Sequence, residues 1–326
     1  MTRSSDAPAY VPPTPPPADD IAPPATAPTT RVRGARAVRY WLRLARPEQW
    51  VKNFFVLSPL LFSGKIVDLG AVVTAVDAFL AFCALASGIY MWNDVVDASA
   101  DRAHPTKRTR PVAAGVISPL EASLIGSVLL LGGIAAAFVI EPRFGLIALA
   151  YVVLNVLYSR WLKHVVIVDV FLIASFFILR LVGGSAAIDV RPSVWLLLCG
   201  GLLALYLGFA KRRHELVLLG TSSPDHRSVL SHYSPIFLDQ MSVVLLSATI
   251  ISYVMYTLTS QTAAAVGSET LSYSTVFVLY GVFRYLYLVH KRNGGSPTET
   301  LLTDRPIIIA VVLWLLYCAW VIYRPI

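Results

Sequence analysis

The sequence predicts an all-α integral membrane protein, a bundle of about nine transmembrane helices. Of its 326 residues, 56% are hydrophobic and only 14% are charged, whereas soluble proteins carry about 25% charged residues. The mean hydropathy is +0.65, and many apolar runs reach the roughly 20 residues that a helix needs to cross a bilayer. Membrane topology and anionic headgroups account for the net charge of +8, so no nucleic-acid partner is expected.

The chain divides into a tail and a membrane domain. Nine of the 21 prolines fall in the first 30 residues, and such a segment buries too little apolar surface to fold. We therefore expect a disordered, proline-rich cytoplasmic tail over 1–38 and a transmembrane catalytic domain over 39–326. The predicted spans are 50–67, 70–93, 119–139, 143–158, 165–187, 193–210, 240–260, 272–290 and 306–323.

The basic residues predict the orientation. Most of the 27 Lys and Arg residues precede the first span or follow every second span after it. The positive-inside rule then puts the amino terminus in the cytoplasm of a multi-pass protein of the cell (inner) membrane. Nine spans put the carboxyl terminus outside. The cytoplasmic side is therefore where we expect the polar side chains that could act on a charged substrate.

A cluster of polar side chains ends the second predicted span. On a helix Asn93, Asp97 and Asp101 share one face, and Asp94 lies almost in line with them. Carboxylates this close repel one another unless a cation lies between them, and Mg²⁺ favours carboxylates together with phosphate oxygens and water. A solvated helix end is the alternative, but carboxylates within membrane spans are costly and usually functional. The sequence therefore predicts a Mg²⁺ site formed by these four residues, with the three aspartates as catalytic groups.

Two basic segments predict phosphate binding. Lys107 and Arg110 lie in the loop directly after the carboxylates, and both residue types bind phosphate well. An anchor that obeys the positive-inside rule explains only part of this charge. Lys211 and Arg212 end the sixth span, where they either face phosphate or, for Lys211, form a helical ion pair with Glu215.

A third polar segment runs from the fourth span into the fifth. Tyr158 is an interfacial aromatic residue or a substrate contact, and Lys163 is a topological charge or a phosphate ligand. Arg180 lies deep in the fifth span, where an arginine requires a partner or an anionic ligand. All three are predicted to contribute to substrate binding.

The pattern Asn93-Asp94-x-x-Asp97-x-x-x-Asp101 at the end of the second span resembles the first signature of the UbiA-type prenyltransferase superfamily. The resemblance covers about 40–326. It implies a bundle of membrane helices with a cytoplasm-facing cavity that holds a Mg²⁺-bound diphosphate. Most members carry a second aspartate-rich motif after the sixth span, where this chain has Lys211-Arg212-Arg213-His214-Glu215.

Within that superfamily the chain resembles the decaprenyl-phosphate phosphoribosyltransferases. The residues that carry this likeness are Asp101-Arg102-x-His104-Pro105-x-Lys107-Arg108-x-Arg110-Pro111, Arg46-Pro47-x-Gln49-Trp50-x-Lys52-Asn53, Tyr158-Ser159-x-x-Leu162-Lys163 and Lys211-Arg212-x-x-Glu215. The resemblance implies phosphoribosyl pyrophosphate and a polyprenyl phosphate as substrates, released diphosphate, and a role in arabinofuranose donor synthesis for the arabinogalactan of cell walls. It also implies that Lys52 and Asn53 bind substrate.

Two alternatives follow from the same residues. One is a prenyltransferase of the UbiA type that joins a prenyl diphosphate to an aromatic acceptor. The other is a membrane transporter or lipid-binding protein in which the acidic cluster is an ion site. Transporters place such charges near the midplane of the bilayer, whereas here the charges cluster at one face. The sequence permits a homo-oligomer and does not determine the length of the lipid substrate.

Overall fold

The computed structural model describes residues 35–104, 107–219, 230, 232–259, 269–291 and 303–323, which are helical and contain no β-strand. This confirms the predicted all-α class. The α-helices are α1 (Ala35–Ala45), α2 (Ser58–Phe62), α3 (Leu69–Val96), α4 (Ala98–Ala103), α5 (Pro119–Ile140), α6 (Pro142–Arg160), α7 (Val168–Ala187), α8 (Val194–Leu219), α9 (Pro235–Leu258), α10 (Thr275–Lys291) and α11 (Arg305–Tyr323). The predicted tail, 1–38, lies outside the described residues except for 35–38, which form the first turn of α1.

Seven of these helices, α3, α5 to α9 and α11, are long and apolar enough to cross a membrane. Helix α10 coincides with the eighth predicted span and has 17 residues. The first predicted span, 50–67, is not one helix, because Pro59 lies in it and Gly64 takes a left-handed conformation with φ 76°. A 3-10 helix over Pro47–Val56, α2 and a 3-10 turn over Lys65–Val67 occupy it instead. The count of nine therefore stays a prediction.

Polar caps mark where the long helices begin. The Asp68 carboxylate accepts from the backbone N–H groups of Gly70 and Ala71 at the start of α3. Ser118 and Glu121 form a reciprocal capping box at the start of α5. Ser234 caps α9, and Pro119, Pro142 and Pro235 open their helices, where the missing N–H has no intrahelical partner to lose. These caps satisfy backbone N–H groups that the first turn of each helix leaves without an intrahelical partner.

The helices pack in chain order, with small residues between them. The buried positions of α5 are Ala122, Gly126, Gly133 and Ala137, while most of its Leu and Val side chains are exposed. This pattern is typical of helices that face lipid, because small residues let backbones approach closely and lipid solvates the large apolar side chains. A membrane bundle follows from it.

The 3-10 helix over Pro47–Val56 lies between α3 and α7. Its end approaches α7 so closely that a Cβ atom on Gly184 would lie 2.0 Å from the carbonyl oxygen of Val56. Only glycine allows this contact. It brings the start of the chain's membrane domain beside the middle of α7 and the carboxyl end of α3, which carry most of the polar residues described next.

Candidate active site

The acidic motif spans the junction of α3 and α4. Helix α3 ends at Val96, and Asp97 lies between the helices with φ −87° and ψ 1°, so the single helix expected from the spacing is interrupted there. Asp94 and Asp101 are buried, with 3% and 4% of their surface exposed, whereas Asn93 and Asp97 are half-buried. Two of the predicted metal ligands therefore point into the protein.

Arginines bind both buried carboxylates. Arg110 Nη1 donates to Asp101 Oδ2 at 2.6 Å and to Asp94 Oδ1 at 3.3 Å. Arg46 Nη2 donates to the same Asp94 oxygen at 2.5 Å, and its guanidinium group lies 4.9 Å from the centre of the Tyr90 ring. Arg110 was predicted as a site residue, and the structure brings it to the carboxylates. Arg46 was not, although it opens one of the motifs quoted above.

Arg46 is held in place by an unusual backbone. It has φ 53° and ψ 60°, the left-handed region that costs a non-glycine residue about 1–2 kcal/mol. Contacts on both sides hold this turn against α3: Trp50 Nε1 donates to Ser87 Oγ at 3.0 Å, and Ser87 Oγ donates to the Ala45 carbonyl at 2.9 Å. The chain reversal between α1 and the 3-10 helix thus directs Arg46 toward Asp94. No sequence pattern predicted this.

A second polar group lies around Arg180. Its Nε donates to Asn53 Oδ1 at 2.6 Å, its Nη2 to Tyr151 Oη at 2.7 Å and its Nη1 to the Phe176 carbonyl at 2.9 Å. Asn53 in turn donates from Nδ2 to Cys83 Sγ at 3.2 Å. The predicted residues Asn53 and Arg180, which are 127 positions apart, therefore form one cluster, and Lys52 precedes Asn53 in the chain.

A third group surrounds Arg212, whose side chain is fully buried. Its Nε donates to Asp169 Oδ2 at 2.6 Å, its Nη1 to Glu215, and its Nη2 to Tyr158 Oη at 3.2 Å. Glu215 thus pairs with Arg212. The predicted residues Tyr158 and Arg212 meet here.

Tyr233 holds the loop that leads into α7. Its hydroxyl donates to Asp169 Oδ1 at 3.0 Å and accepts from the Ile167 N–H at 2.6 Å. Ile167 has φ 68°, again left-handed. Burial raises the pKa of Tyr233 to about 12, so the phenol stays protonated and continues to donate to Asp169 at neutral pH. The loop that carries Lys163 is therefore tied to the Arg212 group.

The lysines predicted to bind phosphate lie around these groups. Lys107 is exposed in the turn Lys107–Thr109, Lys163 is half-buried in the turn Leu162–His164, and Lys211 is exposed on α8. Within the described part of the chain, Lys107 and Lys163 take part in no salt bridge. Their binding of substrate stays a prediction.

The carboxylates have the right chemistry to bind a divalent cation, but in this structure their oxygens are arranged around an arginine. Among the described residues, no three His, Cys, Asp or Glu side chains are gathered as metal ligands. Asp94 and Asp101 nevertheless converge on one positive charge, the Arg110 guanidinium group, and carboxylate oxygen is the donor that Mg²⁺ prefers. The ligand set Asn93, Asp94, Asp97 and Asp101 therefore stays a prediction that the residues present can fulfil.

Comparison with known proteins identifies the family. A model of the UbiA prenyltransferase family matches residues 54–316. This range includes the residues of all three polar groups except Arg46 and Asn53, which precede it. The chain belongs to the UbiA prenyltransferase family. The predicted resemblance is thereby confirmed, and the protein is a multi-pass membrane transferase of the UbiA type.

Relatives within the UbiA family carry a more specific name. The chain is 30% identical over 286 residues to the decaprenyl-phosphate phosphoribosyltransferase of Corynebacterium glutamicum, covering 86% of both chains. It is 31% identical over 284 residues to the Mycobacterium tuberculosis protein of that name, covering 86% of this chain and 91% of the relative. A solved UbiA homologue from Archaeoglobus fulgidus, bound to DMAPP and Mg²⁺, superposes with TM-score 0.66 at 19% identity, covering 88% of this chain and all of that one. The UbiA fold is therefore shared.

Proposed function

We propose that this UbiA-family transferase moves the 5-phosphoribosyl group of phosphoribosyl pyrophosphate to a polyprenyl phosphate such as decaprenyl phosphate, and releases diphosphate. The observation that carries the proposal is the identity of 30% to a decaprenyl-phosphate phosphoribosyltransferase along 86% of both chains. The product would supply arabinofuranose donor synthesis for the cell wall, the role that the resemblance implies.

The charges of the site support a donor that is richer in phosphate than a prenyl diphosphate. The two buried carboxylates, Asp94 and Asp101, are already balanced by Arg46 and Arg110. Most superfamily members carry their second acidic motif on the helix that corresponds to α8, where this chain has an exposed Lys211 and an Arg212 that is bound to Asp169 and Glu215. Two additional cations, Lys52 and Arg180, lie deeper in the bundle: Arg180 binds Asn53, and Lys52 precedes Asn53 in the chain. Phosphoribosyl pyrophosphate carries a diphosphate and a further phosphate, which cations of this number can neutralise.

The residues that would hold Mg²⁺ are Asn93, Asp94, Asp97 and Asp101. When bound, Mg²⁺ would stabilise the charge that builds up on the departing diphosphate. Arg46 and Arg110 are free to turn from the carboxylates to the diphosphate oxygens, since a guanidinium group binds phosphate in the same bidentate way as it binds a carboxylate. The chain's own cations then hold the leaving group in place as its charge increases.

The transfer itself needs no proton acceptor. One oxygen of the polyprenyl phosphate forms a bond to ribose C1 while the bond from C1 to the diphosphate breaks, and the diphosphate leaves with the bonding electron pair. Because the attacking phosphate is already an anion, the protein has to position it, neutralise it and exclude water. Attack from the face opposite the leaving group inverts C1.

We further propose that the site faces the cytoplasm, from which the water-soluble donor phosphoribosyl pyrophosphate would reach it. The acidic motif lies at the carboxyl end of α3, and the Arg212 group joins α8 to the start of α7, so both border predicted cytoplasmic loops. The Arg180 group lies deeper, and the acceptor's isoprenoid tail would lie against the apolar outer surface. This supports an amino terminus in the cytoplasm and, with nine spans, a carboxyl terminus outside.

The test is to incubate the purified protein with phosphoribosyl pyrophosphate, Mg²⁺ and decaprenyl phosphate in detergent or bilayers. We expect equal amounts of diphosphate and phosphoribosylated lipid. A parallel reaction replaces the substrates with a prenyl diphosphate and an aromatic acceptor. Turnover in the second reaction but not in the first would overturn the proposal and favour the prenyltransferase alternative.

A further inference from the structure

Arg180 is a buried cation whose described partners are all neutral. Only 4% of its surface is exposed, and its three bonds go to an amide oxygen, a phenol and a backbone carbonyl. No carboxylate lies within salt-bridge distance of it among the described residues. A guanidinium group has five N–H donors and cannot lose its charge in a protein. Burying that charge without an anion is costly, so the arrangement is incomplete unless an anion binds.

Lys52 adds a second positive charge at the same place. It precedes Asn53, the residue that accepts from Arg180, and its Nζ donates to the neutral Gln49 Oε1 at 2.6 Å. Within the described part of the chain, Lys52 forms no salt bridge with a carboxylate. Two neighbouring cations repel each other. An anion between them removes the repulsion and supplies the missing counter-charge.

Tyr90 adds a hydroxyl group that has no hydrogen bond within the described part of the chain. Its ring supports the Arg46 guanidinium group. Tyr90 also lies on the same face of α3 as Cys83, which accepts from Asn53, the partner of Arg180. The hydroxyl can therefore donate to an anion held by the cations on either side. Neutral side chains keep Arg180 in position meanwhile, since its guanidinium group lies 4.9 Å from the ring centre of Tyr151 and 5.6 Å from that of Phe177.

The group formed by Lys52, Arg180 and Tyr90 is displaced along α3 from the carboxylates of Asp94 and Asp101. Tyr90 precedes Asp94 by one helical turn, or about 6 Å, on the same helix face. Cys83, which accepts from Asn53, precedes Asp94 by about 16 Å on that face. Asn53 joins Cys83 to Arg180, so Arg180 lies deeper in the bundle than the acidic motif.

We infer that Lys52, Arg180 and Tyr90 form a second anion site, separate from the acidic motif, that binds a phosphomonoester. The inference rests on the proposed function for its ligands, because both substrates carry this group: the donor as its 5-phosphate and the acceptor as its lipid phosphate. A phosphomonoester is a compact anion with several acceptor oxygens, which two cations and a phenol can satisfy together. Asn53 and Tyr151 position the guanidinium group.

The test measures binding by calorimetry to the full-length protein in detergent, without turnover. The probes are farnesyl phosphate and ribose 5-phosphate, each paired with its unphosphorylated form, farnesol or ribose. We expect Lys52→Gln and Arg180→Gln to weaken the binding of one phosphorylated probe about tenfold or more, the loss expected for a charge-assisted hydrogen bond. The probe that is affected identifies the source of the phosphate. Binding of the unphosphorylated forms should not change.

Matched variants keep the result interpretable. Arg143→Gln alters an arginine that is 70% exposed and pairs with Glu141 and Asp189, and it should bind both probes like the wild type. Arg180→Lys keeps the charge without the planar fork and should recover part of the affinity. If Arg180→Gln does not fold, the affinity of Lys52→Gln decides whether the anion site exists. Lys52→Gln should fold, because the only described hydrogen bond of Lys52 is to Gln49, three residues away.

The outcomes separate this inference from the proposed function. Unchanged affinity of Lys52→Gln and any folded Arg180 variant for both phosphorylated probes would overturn the second anion site. A wild-type protein that binds a phosphorylated probe through these residues but forms no phosphoribosylated lipid would keep the anion site and remove the proposed function.

Discussion

The three aspartates of the acidic motif differ in what they contact. Asp94 and Asp101 are buried and bonded to Arg46 and Arg110. Asp97 is half-buried at the junction of α3 and α4, and within the described part of the chain its side chain has no hydrogen bond or ion pair. A change at Asp97 can therefore affect metal and substrate binding with little effect on folding, whereas a change at Asp94 affects both.

We predict that Asp97→Ala lowers turnover about 100-fold or more, the loss typical of removing one group that stabilises a developing charge. Its thermal unfolding temperature should stay close to that of the wild type. Binding of Mn²⁺, followed by electron paramagnetic resonance as a substitute for Mg²⁺, should weaken in parallel. Full activity with unchanged Mn²⁺ binding would show that Asp97 is not a metal ligand.

The matched comparison is Asp94→Ala. It should lose activity as well, and it should also lower stability by about 1–3 kcal/mol, because Arg46 is left without its carboxylate partner. Asp189→Ala, at a side chain that is 80% exposed, controls for the loss of a carboxylate as such. Equal stability of the Asp94 and Asp97 variants would contradict the pairing described for Arg46.

Near the carboxyl end of helix α8, two adjacent basic residues have different surroundings. Arg212 is fully buried and joins α8 to Asp169 at the start of α7. Lys211 is exposed. A buried charge network of this kind positions helices, while an exposed lysine can move to meet a ligand.

We predict that Arg212→Gln destabilises the protein by about 3–5 kcal/mol, because it leaves Asp169 buried and unpaired. Lys211→Ala should change stability by no more than about 0.5 kcal/mol, and it should raise the KM for phosphoribosyl pyrophosphate if Lys211 binds phosphate. Thermal unfolding and steady-state kinetics of the two variants measure this. A donor KM that does not change in Lys211→Ala would remove Lys211 from the substrate site.

We predict that a methyl group added at the contact between α7 and the 3-10 helix over Pro47–Val56 destabilises the protein. Gly184→Ala places a methyl group where the Val56 carbonyl lies, so the two elements must separate, at a cost of about 1–3 kcal/mol. Separation also pulls Asn53 from Arg180, so activity should fall. Thermal unfolding and turnover are the measurements.

Gly132→Ala is the control for the substitution itself. Gly132 lies in α5 with open space where its Cβ atom would be, so alanine there should leave activity unchanged and stabilise the helix by about 0.5–1 kcal/mol. Equal behaviour of the two glycine variants would mean that the close approach at Gly184 does not hold the 3-10 helix in place.

In the described part of the chain, many large apolar side chains face outward, and the acidic motif and the Arg212 group lie toward one end of the bundle. Val67, between the 3-10 helix and α3, belongs to the opposite end and is 80% exposed. Arg108 is exposed in the turn Lys107–Thr109, near the acidic motif. These two positions report on opposite sides of the membrane.

We predict the orientation from these positions. In a variant with Cys83, Cys199 and Cys318 replaced by serine, Val67→Cys should react with an impermeant maleimide in intact cells, and Arg108→Cys should react only after the membrane is opened. The physical reason is the excess of Lys and Arg on the cytoplasmic side. The reverse labelling pattern would invert the orientation and move the site away from cytoplasmic phosphoribosyl pyrophosphate.

The helices could be predicted from sequence because their signals are local. Seven of the predicted spans coincide with helices long enough to cross a membrane, and Ser118, Ser234 and the prolines after them mark where two of them begin. The first predicted span was the least regular, because Pro59 and Gly64 interrupt its apolar run, and the structure has 3-10 segments and the short helix α2 there. The sequence did not predict that the first of these segments packs between α3 and α7.

Hydropathy and short motifs are local properties of the chain, and they were enough to predict the all-helical membrane class, the resemblance to the UbiA family and the residue types of the site. The pairings of Arg46 with Asp94, Asn53 with Arg180 and Arg212 with Asp169 depend on the tertiary structure. The partners in these pairs are 48, 127 and 43 positions apart. Contacts over such separations depend on how helices pack and on two left-handed residues, Arg46 and Ile167, whose backbone conformation no side-chain pattern predicts.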